Sequence, residues 1–352
     1  MLMSRHVRVF FTKVGLLATP LLVLLAVYFL TDPFAVLRRP EAYYPPGNVV
    51  PRNRDFVSTE VLRAHGPERR YDSFIFGSSR SIPFQTDDWK RYLPAGARPF
   101  HYDASLESLF GIWAKVRFLD AAGYSVRNAL LIVDSNLLKR LDHDDLRPLF
   151  RKHPLLSGDS WWSFHTSFLE AFLTRGFFAA YLDHRLFREW RPYMNGILQR
   201  DQVIQMIETN DVAVYDREEQ IAREGERYFQ RYSKEYQAQQ ADLGRATPAV
   251  IGEKSRQRLG DLAAIFARHG TNVKVIISPL SDRRPLDDRD REYLADTFGR
   301  DAVRDFSGDN WITRDPHNYY DSAHYRVGIA RTLLDDVYRG LPALSRPPAP
   351  TR

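Results

Sequence analysis

A short apolar run that stops abruptly in a serine-rich turn is the feature that most constrains the fold of this chain. Residues 71–76 end in Phe-Ile-Phe and are typical of a buried strand, and Gly77, Ser78, Ser79 and Arg80 follow as the tight turn that ends it. In an open α/β sheet, ligands bind in the crevice just beyond the carboxyl ends of the strands. Ser79 is therefore a candidate nucleophile, although turns are also rich in serine for purely local hydrogen-bonding reasons.

Further apolar runs extend this strand into a sheet. Short runs bounded by polar or turn residues predict strands, and segments with apolar residues at helical spacing predict the helices between them. The predicted strands are residues 99–102, 129–133, 272–278 and 302–306, and the predicted helices are residues 106–122, 255–269 and 327–338. This alternation predicts an α/β fold with a doubly wound, mainly parallel sheet, in a domain that spans residues 71–340.

A helical insertion of about a hundred residues is predicted to interrupt this domain. Residues 141–243 carry closely spaced aromatic side chains, and the charged residues 216–242 are typical of a long solvated helix. Two interpretations of the aromatics stay open. They form either the core of the insertion, as aromatics at helical spacing usually do, or a lid, a groove or a surface that lies on a membrane.

An uncharged stretch near the N-terminus predicts a transmembrane anchor. Residues 14–31 are rich in leucine and long enough to span a hydrocarbon core if Phe10 and Phe11 lie at the interface. Basic residues precede the stretch, so residues 1–13 are predicted to be a cytoplasmic tail. A cleaved signal peptide is the alternative, disfavoured because no small-x-small site precedes Arg38. A buried helix of a soluble protein is disfavoured because the stretch has no polar face.

Proline-rich segments flank the predicted domain. Residues 32–70 contain several prolines and predict an extended tether between the anchor and the domain. Residues 341–352 are a second proline-rich segment and predict a C-terminal tail.

Composition excludes several classes of protein. Apolar residues at 44% and aromatic residues at 13% are values of globular proteins. The chain has no cysteine, so it forms no disulfide and no thiolate metal site. The net charge of +6 is interspersed with acidic residues rather than gathered in a basic stripe, so nucleic-acid binding is not expected. No His, Asp or Glu cluster has metal-ligand spacing, so neither a metal nor another cofactor is expected.

A second polar motif precedes the last predicted helix. A serine nucleophile needs an adjacent base, and the base needs an acid that fixes its tautomer and stabilises its cation. Asp321 and His324 are three residues apart, so both can lie on one turn and face the crevice that holds Ser79. The alternative is that Asp321 merely caps the helix.

Together the two motifs resemble the SGNH (GDSL-type) hydrolase superfamily, which has a Gly-x-Ser turn after its first strand and Asp-x-x-His before its last helix. Residues 319–326, Tyr-Tyr-Asp-Ser-Ala-His-Tyr-Arg, also resemble the C-terminal block of membrane-anchored SGNH-like envelope proteins. These include the lipoteichoic-acid D-alanyl transfer protein and the alginate O-acetylation proteins. The resemblance covers roughly residues 72–134 and 272–338, and it implies a flavodoxin-like sheet.

The resemblance implies a role for each matching residue. Ser79 becomes the nucleophile, with its amide as one oxyanion donor, and His324 becomes the general base, oriented by Asp321. Ser78 stands where the superfamily's signature has Asp, so which of the two serines attacks stays open. Arg80 either holds an anionic substrate group or a carboxylate, or is simply solvated.

The chain departs from the superfamily in the second oxyanion donor. Residues 103–105 are Asp-Ala-Ser where an asparagine is expected, and residues 134–136 are Asp-Ser-Asn without the usual preceding glycine. Losing one such donor typically costs about a hundredfold or more in rate. Ser105 and Asn136 are candidate replacements, with a purely structural role as the alternative for each.

The resulting expectation is a single-pass protein of the cytoplasmic (inner) membrane, with its N-terminus in the cytoplasm and its main domain periplasmic or otherwise extracytoplasmic. It is expected to act as a serine acyltransferase or esterase on O-acyl groups of a cell-envelope or exported polysaccharide. The partners implied by the resemblance are a membrane-bound O-acyltransferase and a glycan or acyl-carrying substrate. The alternative function is a non-catalytic SGNH-like subunit that binds glycan or assists assembly of an acylation system.

Overall fold

A computed structural model describes residues 5–143, 145–214, 217–240 and 247–340 of the chain. The chain divides into two compact units, the first formed by Met1–Arg52 and Ser160–Arg200, and the second by Asn53–Asp159 and Asp201–Arg352. The predicted tail 341–352 lies outside the described residues.

The helices and strands of the described residues alternate along most of the second unit. The helices are α1 (Arg5–Thr31), α2 (Arg54–Arg69), α3 (Thr86–Lys90), α4 (Leu109–Ala121), α5 (Ser135–Leu138), α6 (Pro154–Ser157), α7 (Trp161–Leu173), α8 (Arg175–Phe187), α9 (Arg217–Glu224), α10 (Glu226–Gln230), α11 (Ser233–Gln240), α12 (Glu253–His269), α13 (Asp288–Phe298), α14 (Trp311–Arg314) and α15 (Val327–Arg339). The strands are β1 (Ser73–Gly77), β2 (Pro99–His101), β3 (Asn128–Val133), β4 (Val203–Met206), β5 (Asp211–Val214), β6 (Asn272–Ile277) and β7 (Val303–Asp305).

A five-stranded parallel sheet forms the centre of the second unit. Its strand order is β2-β1-β3-β6-β7, and every neighbouring pair is parallel. Numbered within the sheet, this is the 2-1-3-4-5 order of a doubly wound fold. The prediction of an α/β fold with a parallel sheet is therefore confirmed, and each of these strands overlaps a predicted one.

Both faces of the sheet are covered, which explains why its strands are continuously apolar. Side chains of a strand alternate between the two faces. Ile75 and Ile132 therefore point to one face, where they join a cluster with Leu333 of α15. Helices α4 and α12 pack against each other as part of the helical cover of the sheet.

The chain leaves β1 and β3 in opposite directions along the sheet, which creates a crevice at their carboxyl ends. The turn that begins with Ser78 follows β1, and Asp134 follows β3. This is the place where the sequence predicts the functional residues.

The extended tether predicted for residues 32–70 is wrong in its second half. Arg54–Arg69 forms α2, and Asn53 caps it by accepting a hydrogen bond from the amide of Phe56. The two charged residues at its start are buried in ion pairs, because Arg54 pairs with Asp103 and Asp55 lies 3.2 Å from Lys115. The prolines of the segment obscured a helix that is an integral part of the second unit.

The predicted insertion 141–243 is not entirely helical. Strands β4 and β5 form an antiparallel hairpin within it. The β-branched residues on both sides of a Glu-Thr-Asn turn signal this hairpin, and the sequence interpretation missed it. The described part of residues 216–242 forms three helices rather than one, because Gly225 adopts a left-handed φ of 54° after α9. It is also not solvated throughout, since Tyr228 and Tyr236 are buried.

The first unit contains α1 and the aromatic helices α7 and α8. Phe168 and Phe172 of α7 are fully buried, and their rings lie 5.3 Å from those of Phe34 and Tyr28, respectively. The core interpretation is confirmed for these aromatics. Trp162 is not part of this core, because its side chain is 79% exposed. It lies at the opposite end of α7 from Phe172, the residue that contacts α1.

One helix of the described residues is long and apolar enough to cross a membrane. The qualifying stretch is Thr12–Thr31 of α1, and almost none of it is buried, unlike the core helix of a soluble protein. A membrane anchor and a signal sequence both satisfy this criterion of length and composition. Residues 5–13 of the predicted cytoplasmic tail belong to the same helix.

Candidate active site

The turn after β1 places Ser79 at the crevice. Strand β1 ends at Gly77, and Ser79 begins a single 3-10 turn, Ser79–Ser81. The turn is so tight that a Cβ on Gly77 would lie 2.7 Å from the Cβ of Ser81 and 3.1 Å from the carbonyl oxygen of Ile132. Glycine is therefore required at this position, and it fixes where the next side chains point.

A tight loop before α15 presents Asp321 and His324. Tyr319 and Tyr325 pair in antiparallel fashion at its base, and Asp321 Oδ1 accepts hydrogen bonds from the amides of Ala323 and His324 at 2.9 and 3.0 Å. The Asp321 side chain therefore stabilises the turn formed by residues 321–324. The alternative that it caps the last helix is wrong, because the residue at the N-cap of α15 is Arg326.

The structure brings the three predicted catalytic residues into one hydrogen-bonded chain. His324 Nε2 lies 2.9 Å from Ser79 Oγ, and His324 Nδ1 lies 2.8 Å from Asp321 Oδ1. A carboxylate only accepts hydrogen bonds, so Nδ1 carries the proton and Nε2 is left to accept the hydroxyl proton of Ser79. Within the part of the chain that the structure describes, the Ser79 hydroxyl bonds to no other group.

Asp321 stays ionised in this arrangement. Its burial alone would raise the pKa of the carboxyl group. The hydrogen bond and charge of His324, the amide of Ala323 and the guanidinium of Arg217 outweigh this effect and lower the pKa to about 2. Asp321 can therefore orient His324 and stabilise its protonated form at any physiological pH.

Groups from α9 to α11 hold the Asp321 loop from outside. Arg217 Nη1 lies 3.1 Å from Asp321 Oδ2. Tyr228 and Tyr236 donate their hydroxyl protons to the carbonyl oxygens of Tyr320 and Asp321 at 2.9 and 3.0 Å. The sequence interpretation missed these contacts, because they join segments about ninety to a hundred residues apart and no local pattern announces them.

Arg80 contacts a carboxylate of the protein. Its Nη1 donates to Asp134 Oδ2 at 2.7 Å, and its Nε points to the carbonyl oxygen of Ala323 at 3.4 Å. The other oxygen of Asp134 caps α5 by accepting from the amides of Asn136 and Leu137. Among the interpretations left open for Arg80, the carboxylate contact is therefore the one observed.

The remaining candidates divide into two groups. Ser78 and Asn136 line a cleft of about 240 Å³ together with Ser79 and His324, whereas Ser105 is not among the lining residues. Ser78 is buried, and its Oγ accepts from the amide of Arg80 at 3.3 Å, so it serves the turn. The side-chain amide of Asn136 makes no hydrogen bond to any described residue.

A second cleft also borders Ser79 and His324. It has a volume of about 450 Å³, and Ser79 and His324 are again among its lining residues. Its other lining residues come from the turn after Ser81, from β5, from α9, from Tyr320 in the Asp321 loop and from the start of α15. The reacting atoms are therefore accessible from two directions.

A second Ser-His-Asp arrangement, which the sequence interpretation missed, lies beneath the first. Ser81 Oγ is 2.9 Å from His101 Nε2, and His101 Nδ1 is 3.1 Å from Asp211 Oδ1. Ser81 and His101 have no exposed surface, so no substrate reaches them. This set links the turn that carries Ser79 to β2 and β5.

The described residues contain no group of three or more His, Cys, Asp or Glu side chains that could hold a metal ion. No family model and no curated protein matches this chain in sequence.

Proposed function

We propose that this protein is a serine acyltransferase or esterase that acts on O-acyl groups of a cell-envelope or exported glycan. The observation that supports the proposal most directly is the chain of hydrogen bonds from Asp321 through His324 to Ser79. A serine at a strand end, in contact with a histidine that a carboxylate orients, is the arrangement of nucleophilic acyl transfer on several unrelated folds.

The reaction follows from the proton positions. Ser79 Oγ attacks the acyl carbonyl carbon while His324 Nε2 takes up the hydroxyl proton. The tetrahedral intermediate then breaks its bond to the leaving alkoxide, which receives that proton from His324. The acyl group now esterifies Ser79. A glycan hydroxyl or a water molecule then loses a proton to His324 and attacks the acyl carbon. The bond from the acyl carbon to Ser79 Oγ breaks, His324 returns the proton to Ser79 Oγ, and the new ester or the free acid is released.

Two amides are the candidates for stabilising the oxyanion in this proposal. Among the described residues, the Ser79 amide donates to no acceptor, and it belongs to the residue that forms the new bond. The side-chain amide of Asn136 faces the same cleft and is also without a described partner. We assign these two amides to the oxyanion, with Asn136 replacing the donor that the superfamily places elsewhere.

The cellular setting is part of the proposal. The resemblance to membrane-anchored SGNH-like envelope proteins and the basic residues before the uncharged stretch 14–31 support an N-in anchor with the second unit outside the cytoplasmic membrane. An anchor keeps the domain close to a membrane-bound O-acyltransferase that would supply acyl groups. This proximity raises the effective concentration of the two proteins relative to each other, which favours transfer over hydrolysis.

The test is covalent labelling of the full chain in detergent with a fluorophosphonate probe. We expect labelling of the wild type and of Ser78→Ala, and a loss of labelling in Ser79→Ala. Ser78 is the matched control because it is the adjacent serine and its hydroxyl serves only the turn.

Two results would contradict the proposal. Labelling that survives in Ser79→Ala but is lost in Ser78→Ala would identify Ser78, and not Ser79, as the nucleophile. A folded wild-type protein without any labelling would favour the non-catalytic, glycan-binding subunit, and saturable binding of an acylated polysaccharide would then be the measurement to make.

A further inference from the structure

The larger cleft beside Ser79 has mainly apolar walls. Ile82 and Pro83 line it from the turn after Ser81, Val212 and Ala213 from β5, and Val327 from the first turn of α15. Its volume of about 450 Å³ is in the size range of sites that bind small organic ligands.

The polar side chains of this cleft have their polar ends bound to the protein. Gln85 Nε2 donates to the carbonyl oxygens of Ile82 and Val212 at 2.6 and 3.2 Å. Glu218 accepts from the hydroxyl of Tyr320 at 2.8 Å and pairs with Arg326.

The guanidinium groups of the two arginines of the cleft are likewise bound to carboxylates of the protein. Arg217 bonds to Asp321, and Arg331 Nε bonds to Asp88 at 2.8 Å. What these side chains offer a ligand is mainly their apolar stems. Glu218, Glu219 and Arg331 are the exposed charged residues of the lining.

The smaller cleft differs in chemistry. It presents the side-chain amide of Asn136, which has no hydrogen-bond partner among the described residues, and the guanidinium of Arg140, whose Nη1 donates to the carbonyl oxygen of Leu106 at 3.0 Å. A hydroxyl-rich acceptor matches these donors, whereas an apolar chain matches the larger cleft.

The volume of the larger cleft exceeds the need of an acetyl group. If each heavy atom occupies at most the roughly 30 Å³ of a water molecule in the liquid, an acetyl group of three heavy atoms fills no more than about 90 Å³, and a hexanoyl group of seven no more than about 210 Å³. A cleft of about 450 Å³ therefore leaves most of its apolar wall uncovered by acetyl.

We propose that the acyl group handled by Ser79 is a medium-length apolar chain of roughly six to ten carbons, bound in the larger cleft, while the acceptor hydroxyl approaches through the smaller cleft. This inference rests on the proposed function of Ser79 and names the class of its acyl substrate.

The test is the rate of ester hydrolysis as a function of chain length. We would measure kcat/KM of the full chain in lipid nanodiscs with p-nitrophenyl acetate, butyrate, hexanoate and octanoate, corrected for the spontaneous rate of each ester. We expect kcat/KM to rise about threefold per added methylene, close to a hundredfold from acetate to hexanoate, because each methylene is buried against the apolar wall.

A cleft-filling variant locates the effect. Ala213→Trp is expected to reduce hexanoate turnover to the level of acetate and to change acetate turnover by less than about threefold. Ala121→Trp, at an exposed position at the end of α4, is the matched control and should keep the wild-type profile. Val327→Phe narrows the cleft from the opposite element and serves as a second variant if Ala213→Trp does not fold.

The outcomes separate the two proposals. A flat chain-length profile with turnover that depends on Ser79 would overturn the inference and leave the proposed function in place. A rise with chain length that persists in both narrowed variants would overturn the assignment to this cleft. Absence of turnover for all four esters would overturn the inference, whereas the fluorophosphonate labelling judges the proposed function independently.

Discussion

Two Ser-His-Asp arrangements share one short turn of this protein, and they differ more in access than in geometry. In the first, His324 lies 2.9 Å from Ser79 and 2.8 Å from Asp321. In the second, His101 lies 2.9 Å from Ser81 and 3.1 Å from Asp211. The side chain of His324 is 32% exposed, whereas that of His101 is fully buried.

The two serines also differ in their hydrogen bonds. Ser81 Oγ lies 2.8 Å from the carbonyl oxygen of Ser78, which only accepts, so its single proton is shared between that oxygen and His101. The hydroxyl of Ser79 has only His324 as a partner among the described residues. Distances alone therefore do not identify a nucleophile. A serine needs a base that is free to take its proton and open space for the acyl carbon.

The largest effect is expected from removing the accessible base. His324→Gln should lower the rate of fluorophosphonate labelling about 10⁴-fold, because no other described residue contacts the Ser79 hydroxyl to take its proton. The midpoint of thermal unfolding should change little, since His324 is partly exposed. A variant that keeps more than a tenth of the wild-type labelling rate would contradict the role of His324.

The same substitution in the buried arrangement should lower the stability of the fold and have little effect on the rate of labelling. His101→Gln leaves buried partners of Ser81 and Asp211 imperfectly paired, which we expect to cost about 3 kcal/mol and to lower the unfolding midpoint by roughly 5–10 °C. Labelling of the folded protein should fall less than about tenfold. If His101→Gln abolished labelling in a protein of unchanged stability, the buried set would be the catalytic one.

The third prediction concerns the pH dependence of Asp321. Its pKa in the folded protein is about 2, below the ordinary value of 3.8, so the ionised carboxylate stabilises the fold above the ordinary pKa and this contribution is lost as the pH falls towards 2. A shift of this size corresponds to roughly 2 kcal/mol. The stability difference between wild type and Asp321→Asn should therefore shrink by about 2 kcal/mol between about pH 5 and about pH 2. A difference that does not vary with pH would contradict this assignment.

The smallest effect is expected at Arg217, which acts through Asp321. Arg217→Met should lower the labelling rate about tenfold and move the loss of Asp321-dependent stability to higher pH, because the carboxylate loses a neighbouring cation. Arg331→Met is the matched control, since Arg331 lines the same cleft but pairs with Asp88. A merely structural role for Arg217 would lower stability and leave the pH profile in place.

Local patterns were sufficient for the sheet, and they supplied Ser79, Asp321 and His324 as candidates to which the family resemblance gave roles. The apolar run before Gly77 predicts β1 because a strand buried on both faces cannot tolerate polar side chains. The place of Ser79 follows from that strand end, and the spacing of Asp321 and His324 allows both to lie in one loop. Each of these inferences depends on residues that are neighbours in sequence.

Local patterns misled where packing overrides them. The prolines of residues 32–70 predicted an extended tether, yet the cap at Asn53 and the buried Val57 and Val61 make Arg54–Arg69 a helix of the second unit. Both signals are present in the sequence. A proline near the end of a helix does not prevent the preceding turns from forming.

The sequence by itself determined the order of the five strands of the parallel sheet along the chain, the apolar N-terminal helix, and the pair of serines, Ser78 and Ser79, that follows the first strand. Only the tertiary structure decided which serine is accessible, that Arg80 is occupied by Asp134, and that Arg217 supports Asp321. The physical reason is that strands and turns depend on residues a few positions apart. Access, ion pairing and hydrogen bonding across the crevice depend on side chains that meet only after the sheet has assembled.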